Sequence, residues 1–175
     1  MLSLSRIVLM IPAVYFLYTP MHFHREIAVF IVLVAMITDA LDGYLARMLH
    51  QISNLGKIID PLADKIGVGI VVVMLTFYGD IPLWFTIVVL SRDIIIFLAG
   101  LYIKTKTGII LQSMMSGKIA VATLAFTIVL AMLKYPFFEK LYEGLIVVTV
   151  LLLGVSLSVY TKRFFITLQR NKTRV

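Results

Sequence analysis

Four aspartates interrupt an otherwise apolar run: Asp39 and Asp42 at i,i+3, then Asp60 and Asp64 at i,i+4. The segments carrying them read as membrane helix, where an ionisable side chain is costly and marks a functional site by default. Helical residues advance by about 100° each, so Asp39, Asp42, Gly43, Ala46 and Arg47 share one face. By the same spacing Asp60, Asp64 and Gly67 share a face of the next segment. Gly43 and Ala46 leave a lane free of side chains beside the first acid pair, and Arg47 closes its lower end. The connecting stretch HQISNLGK is short and holds the breakers Asn54 and Gly56, so the two helices are expected to be antiparallel neighbours. Four carboxylates then meet in one cleft, and like charges at low dielectric do not all stay ionised without cations. Oxygen ligands unaccompanied by His or Cys point to two divalent cations, magnesium or manganese, more than to a single calcium. Paired dications beside a lane with a basic end describe a pyrophosphate site.

The elements that must position these acids are membrane spans. Of 175 residues 61% are hydrophobic and 14% charged, with a mean hydropathy of +1.04; an ordinary soluble domain is about a quarter charged. The expectation is an all-α, polytopic membrane protein forming a single domain over residues 1–175. Six apolar segments can be drawn, at 4–18, 27–49, 58–78, 81–104, 117–133 and 144–161. The first and fifth are short against the about 20 residues a span requires. The absence of cysteine removes disulfide, thiolate-metal and cysteine-nucleophile chemistry.

An even number of spans puts both termini on one side. Arg6, Arg47, Lys57, Lys104, Lys106, Lys118, Lys162, Arg163, Arg170, Lys172 and Arg174 fall there, eleven of the sixteen basic residues. The positive-inside rule makes that side cytoplasmic. The net charge of +7 thus suits anionic lipid headgroups and not nucleic acid. Arg25, Lys134 and Lys140, with Glu26, Asp80, Glu139 and Glu143, fall on the opposite side. The first segment is read as a retained helix, His22 and His24 as an outer loop, GDIP at 79–82 as a tight turn, and Pro61 as the start of a helix. The basic and aromatic tail TKRFFITLQRNKTRV reads as an interfacial helix. Arg92 and Asp93, adjacent on a helix, are expected not to face each other and to need partners on other spans.

The pattern D-x2-D-G-x2-A-R-x8-G-x3-D-x3-D is met without a gap by Asp39, Asp42, Gly43, Ala46, Arg47, Gly56, Asp60 and Asp64. In this the chain resembles the CDP-alcohol phosphatidyltransferase family. The resemblance implies a six-helix fold, usually a homodimer, that uses two divalent metals to transfer a phosphatidyl group from a CDP-linked lipid to an alcohol, releasing CMP. It implies that Asp39, Asp42 and Asp60 hold the metals, and that Asp64 contributes to the metal site and serves as general base on the acceptor hydroxyl. Asp39, Gly43, Ala46, Arg47 and Gly56 would bind the nucleotide of CDP-diacylglycerol. The wording NLGKIIDPLADK, with Ser91-Arg92-Asp93, is most similar to the bacterial phosphatidylglycerophosphate synthases of that family, whose acceptor is glycerol 3-phosphate. Arg92, Lys104 and Lys118 are the expected contacts of the acceptor's phosphate. One departure is the start, where Met1-Leu2-Ser3-Leu4-Ser5-Arg6 replaces the family's usual asparagine-containing lead.

Other readings compete with this one. The same chemistry with phosphatidylglycerol, inositol phosphate or serine as acceptor is the nearest. A structural network balancing the acids with Arg47, Lys57 and Lys65 does not explain the small-residue lane. An intramembrane prenyltransferase would share the magnesium and pyrophosphate but not the DG-x2-AR element. A cation transporter would place its acids near the midplane, whereas these lie near one face.

Overall fold

The computed structural model describes residues 11–19, 21–48, 56–108 and 114–172, with the side chains of 39–47, 56–64 and 170–172 excepted. Among the described residues the secondary structure is helical throughout, with no strand. Helix α1 covers 11–18, and α2 (His24–Met48), α3 (Gly56–Phe77), α4 (Leu83–Thr107), α5 (Met115–Leu133) and α6 (Glu139–Lys172) follow, with a short 3-10 turn, Pro136–Phe138, before the last. Among the described residues three helical runs are long and apolar enough to cross a membrane: Leu83–Thr107, Met115–Leu133 and Pro136–Gln169. Phe77, Phe30, Leu98 and Leu151 are exposed, as side chains facing lipid would be.

The chain divides into two compact units. The first comprises Met1–Ile81 and Ala131–Lys134. Its described interior draws Ala13 and Leu17 from α1, Ala28, Val32 and Ala35 from α2, and Val72 and Leu75 from α3. These recur at helical spacing, and the alanines let backbones approach closely where lipid supplies no hydrophobic drive to pack. Helix α3 stops as the GDIP turn anticipates. Gly79 takes the left-handed φ of +76°, and the amides of Gly79 and Asp80 donate back to the carbonyls of Thr76 and Leu75 at 3.0 and 2.8 Å, closing the helix end. Pro61, expected at the helix start, instead lies five residues beyond Gly56, because the helix begins within the polar linker.

The second unit comprises Pro82–Leu130 and Tyr135–Val175. Pro82 precedes α4 in extended conformation, and Gly108 at φ +69° ends it by donating its N–H to the Lys104 carbonyl. Lys104 and Lys106 occupy the last turn, where the helix dipole favours cations. Buried positions on α5 run Gly117, Ala120, Leu124, Thr127, and on α6 Thr149, Leu153, Ser156. Both stripes alternate steps of three and four, the repeat of a left-handed helix pair. Two contacts fix the antiparallel register: Thr127 and Thr149 share a hydroxyl hydrogen bond of 2.8 Å, and Gly117 lies against Tyr160.

The last helix differs from expectation. The apolar pattern ends at Thr161, but α6 runs unbroken for 34 residues to Lys172, about 51 Å at the usual rise. The basic tail is a continuation of the span and not a separate helix. Lys, Arg, Leu and Gln are good helix formers in water, so the change of polarity does not break the backbone.

Candidate functional site

The acid motif occupies two helix ends within the first unit. Asp39, Asp42, Gly43, Ala46 and Arg47 lie in the C-terminal turns of α2. Asp60 and Asp64 lie in the N-terminal turns of α3, which Gly56 opens. Arg47 is the penultimate residue of α2, where a cation complements the helix dipole. The side chains at these positions, and Ser3, Ser5 and Arg6, lie outside the described residues. What the structure contributes is the backbone: each member of the motif is helical, as the i,i+3 and i,i+4 spacings require. A donor set of four carboxylates, without imidazole or thiolate, fits hard divalent cations that take oxygen ligands. Among the residues whose side chains are described, no three His, Cys, Asp or Glu gather in a way that would hold a metal. His24, expected in the outer loop, is instead the first residue of α2, and its ring nitrogen faces the Met21 carbonyl 2.7 Å away in the preceding turn.

The opposite ends of the same helices carry a cluster that sequence inspection missed. Asp80, whose side chain is 1% exposed, accepts from Lys134 Nζ at 2.6 Å, from Arg25 Nη2 at 3.3 Å and from Tyr18 Oη at 3.4 Å. Arg25 Nη1 also donates to the Met132 carbonyl at 2.9 Å, and the rings of Tyr18 and Tyr78 stack at 3.4 Å. Sequence places Arg25, Asp80 and Lys134 in three different outer loops. Their charges are individually unremarkable there, and only the fold joins residues 55 and 54 positions apart. This cluster ties the ends of α1, α2, α3 and the 131–134 segment together, remote along the helices from the acids.

Of the acceptor candidates, Arg92 is buried in the second unit, 6% exposed. Its Nη2 donates to Ser156 Oγ at 2.7 Å, which supplies the expected partner on another span. Its Nη1 pairs with Asp93 Oδ1 at 2.5 Å. That corrects the expectation that the two neighbours do not meet. Adjacent Cβ atoms do diverge, but a guanidinium on a four-bond stem can turn back to a carboxylate beside it. Arg92 Nε, also buried, has no hydrogen-bond partner among the described residues. Lys118 is exposed in the first turn of α5, and Lys104 is partly exposed near the end of α4. Arg92 reaches the start of α5 through Ser156, whose Oγ lies 3.6 Å from where a Cβ on Gly117 would sit. No described contact joins Lys104 to this group.

The model of the CDP-alcohol phosphatidyltransferase family matches residues 1–160. The chain is 39% identical over 88 residues to a CDP-diacylglycerol–glycerol-3-phosphate 3-phosphatidyltransferase of Bacillus subtilis, covering 50% of this chain and 45% of that protein. It is 40% identical over 108 residues to a cardiolipin synthase (CMP-forming) of Homo sapiens, covering 61% and 35%. A second CDP-diacylglycerol–glycerol-3-phosphate 3-phosphatidyltransferase, from Mycoplasma pneumoniae, is 38% identical over 91 residues, covering 50% and 40%. The chain thus spans less than half the length of the curated relatives it matches.

Proposed function

Because the chain belongs to the CDP-alcohol phosphatidyltransferase family, we propose that it transfers a phosphatidyl group from CDP-diacylglycerol to glycerol 3-phosphate, releasing CMP and giving phosphatidylglycerophosphate. The observation that carries this is the unbroken motif from Asp39 to Asp64, lying on the ends of two helices in one compact unit. The likeness to two proteins named for glycerol 3-phosphate supports the choice of acceptor.

In this reading Asp39, Asp42, Asp60 and Asp64 hold two divalent cations, magnesium or manganese. Bound there, such cations neutralise pyrophosphate oxygens and make the lipid-linked phosphorus more electrophilic. Gly43 and Ala46 admit the nucleotide to the helix surface, and Gly56, Arg47 and Asp39 bind it alongside. Asp64 removes the proton from the acceptor hydroxyl as its oxygen bonds to the phosphatidyl phosphorus. The bond from that phosphorus to the CMP oxygen breaks, and CMP departs with the electron pair. Arg92, Lys118 and Lys104 neutralise the acceptor's own phosphate, a task suited to charge-assisted donors.

The whole 175-residue chain acts as one six-span catalytic domain, forms a homodimer, and sits in a bacterial cytoplasmic membrane. Its motif and both termini face the cytoplasm, and its basic rim meets anionic lipid. A second reading, transfer to phosphatidylglycerol to give cardiolipin, is favoured by the alignment to the human cardiolipin synthase, which covers more of this chain than either of the other two. The test supplies purified protein with CDP-diacylglycerol, magnesium and, side by side, glycerol 3-phosphate, phosphatidylglycerol, inositol phosphate and serine. CMP release dependent on glycerol 3-phosphate is expected. Release dependent on another acceptor would reassign the product, and none with any acceptor would refute the transferase reading.

A further inference from the structure

Ser156 and Tyr160 stand one turn apart on α6 and meet both other helices of the second unit. Ser156 is fully buried and accepts from Arg92 of α4. The Tyr160 hydroxyl accepts the Met114 N–H at 3.2 Å, so it holds the amide just before the first residue of α5. Its ring lies so close to α5 that a Cβ on Gly117 would meet Cε2 at 3.1 Å and Oη at 3.2 Å. Glycine is needed there for close approach and not for a special backbone angle. Two buried polar atoms flank this ledge without a partner among the described residues, Arg92 Nε and Ser116 Oγ. Native interiors rarely leave such groups unsatisfied unless a ligand or function accounts for them. Lys118 follows Gly117 directly, and the first amides of a helix add further donors.

From this geometry we infer that Tyr160 is a positioning residue for the phosphate of the acceptor: it clamps the start of α5 against α6, and so sets Lys118 and Ser116 relative to Arg92. The inference rests on the proposed acceptor chemistry but not on which phosphate-bearing acceptor is used. Tyr160 is assigned no role at the motif or the reacting atoms, and its effect passes through the α5 terminus. The loss of its hydroxyl should therefore weaken acceptor binding while leaving the chemical step and the CDP-lipid in place.

The experiment measures steady-state CMP release by the purified full chain in detergent, varying each substrate in turn, for wild type, Tyr160→Phe, Gly117→Ala and Thr149→Val. Tyr160→Phe should raise KM for the acceptor about fivefold, with kcat and the KM for CDP-diacylglycerol within about twofold of wild type. Gly117→Ala should raise the same KM by forcing Tyr160 aside. Thr149→Val removes a hydroxyl from the same α5–α6 interface far from the ledge and should leave all three constants unchanged. An unaltered acceptor KM in Tyr160→Phe would overturn the inference, and so would an equal effect from Thr149→Val, which would mark general loosening of the helix pair. Activity with phosphatidylglycerol in place of glycerol 3-phosphate would sink the acceptor assignment alone, since Tyr160 is then tested on that lipid's phosphate. A wild type releasing no CMP with either acceptor would sink both.

Discussion

Asp64 is assigned two roles, cation ligand and general base, and one substitution separates them. Asp64→Asn retains an oxygen donor but cannot take a proton, so kcat should fall by about 10²–10⁴ while CDP binding, followed by isothermal titration, largely survives. Turnover at the wild-type rate would remove Asp64 as the base. Gly43 tests the lane in a different way. Gly43→Leu adds a side chain where the nucleotide is to lie, and affinity for the CDP-lipid should drop by more than about tenfold; an unchanged Kd would show that nothing binds against that face. At this scale the helical placement of the acids was legible because helix geometry restricts their spacing. The Arg92–Asp93 pair was not. The rule that i,i+1 neighbours diverge describes Cβ directions, and a long side chain escapes it.

Helix ends carry the next predictions. Lys134, directly after α5, adopts a left-handed φ of +50°, a conformation costing a non-glycine residue about 1–2 kcal/mol. Its ammonium bonds Asp80, yet the lysine side chain is 57% exposed, and such pairs contribute at most about 1 kcal/mol. Lys134→Gly should accordingly be near neutral in thermal unfolding, as relief of strain offsets the lost pair, whereas Lys134→Ala should destabilise by about 1 kcal/mol. Asp80→Asn is the severe change. It leaves Arg25 and Lys134 facing a neutral group at a site where the carboxylate is almost fully enclosed, and a loss of about 2–4 kcal/mol is expected. Equal melting temperatures for Asp80→Asn and wild type would show that the cluster does not hold these ends together. Most helices could be read from their apolar runs, because the lipid that selects those residues also forces their backbone to bond internally. The extension of α6 to Lys172 could not, since Lys162 and Arg163 signal where lipid ends and say nothing about where helix ends. The ties at Asp80 and Tyr160 join residues far apart in sequence, where no local pattern records the pairing.

For the molecule as a whole, the uneven placement of charge predicts a dependence on its membrane. Eleven basic residues assigned to one side are expected to draw that face toward anionic headgroups, at about 1 kcal/mol for each residue near the surface. Activity in nanodiscs should rise when phosphatidylserine replaces part of the phosphatidylcholine, and the rise should shrink as salt shortens the screening length. Equal rates in both lipids would leave the basic rim without that role. The most direct measurement of the central claim, that the Asp39–Asp64 carboxylates act through bound dications, is CMP release after exhaustive chelation of the purified chain. Activity is expected to be lost with the metal and to return on adding magnesium or manganese; CMP release undiminished by chelation would contradict that claim.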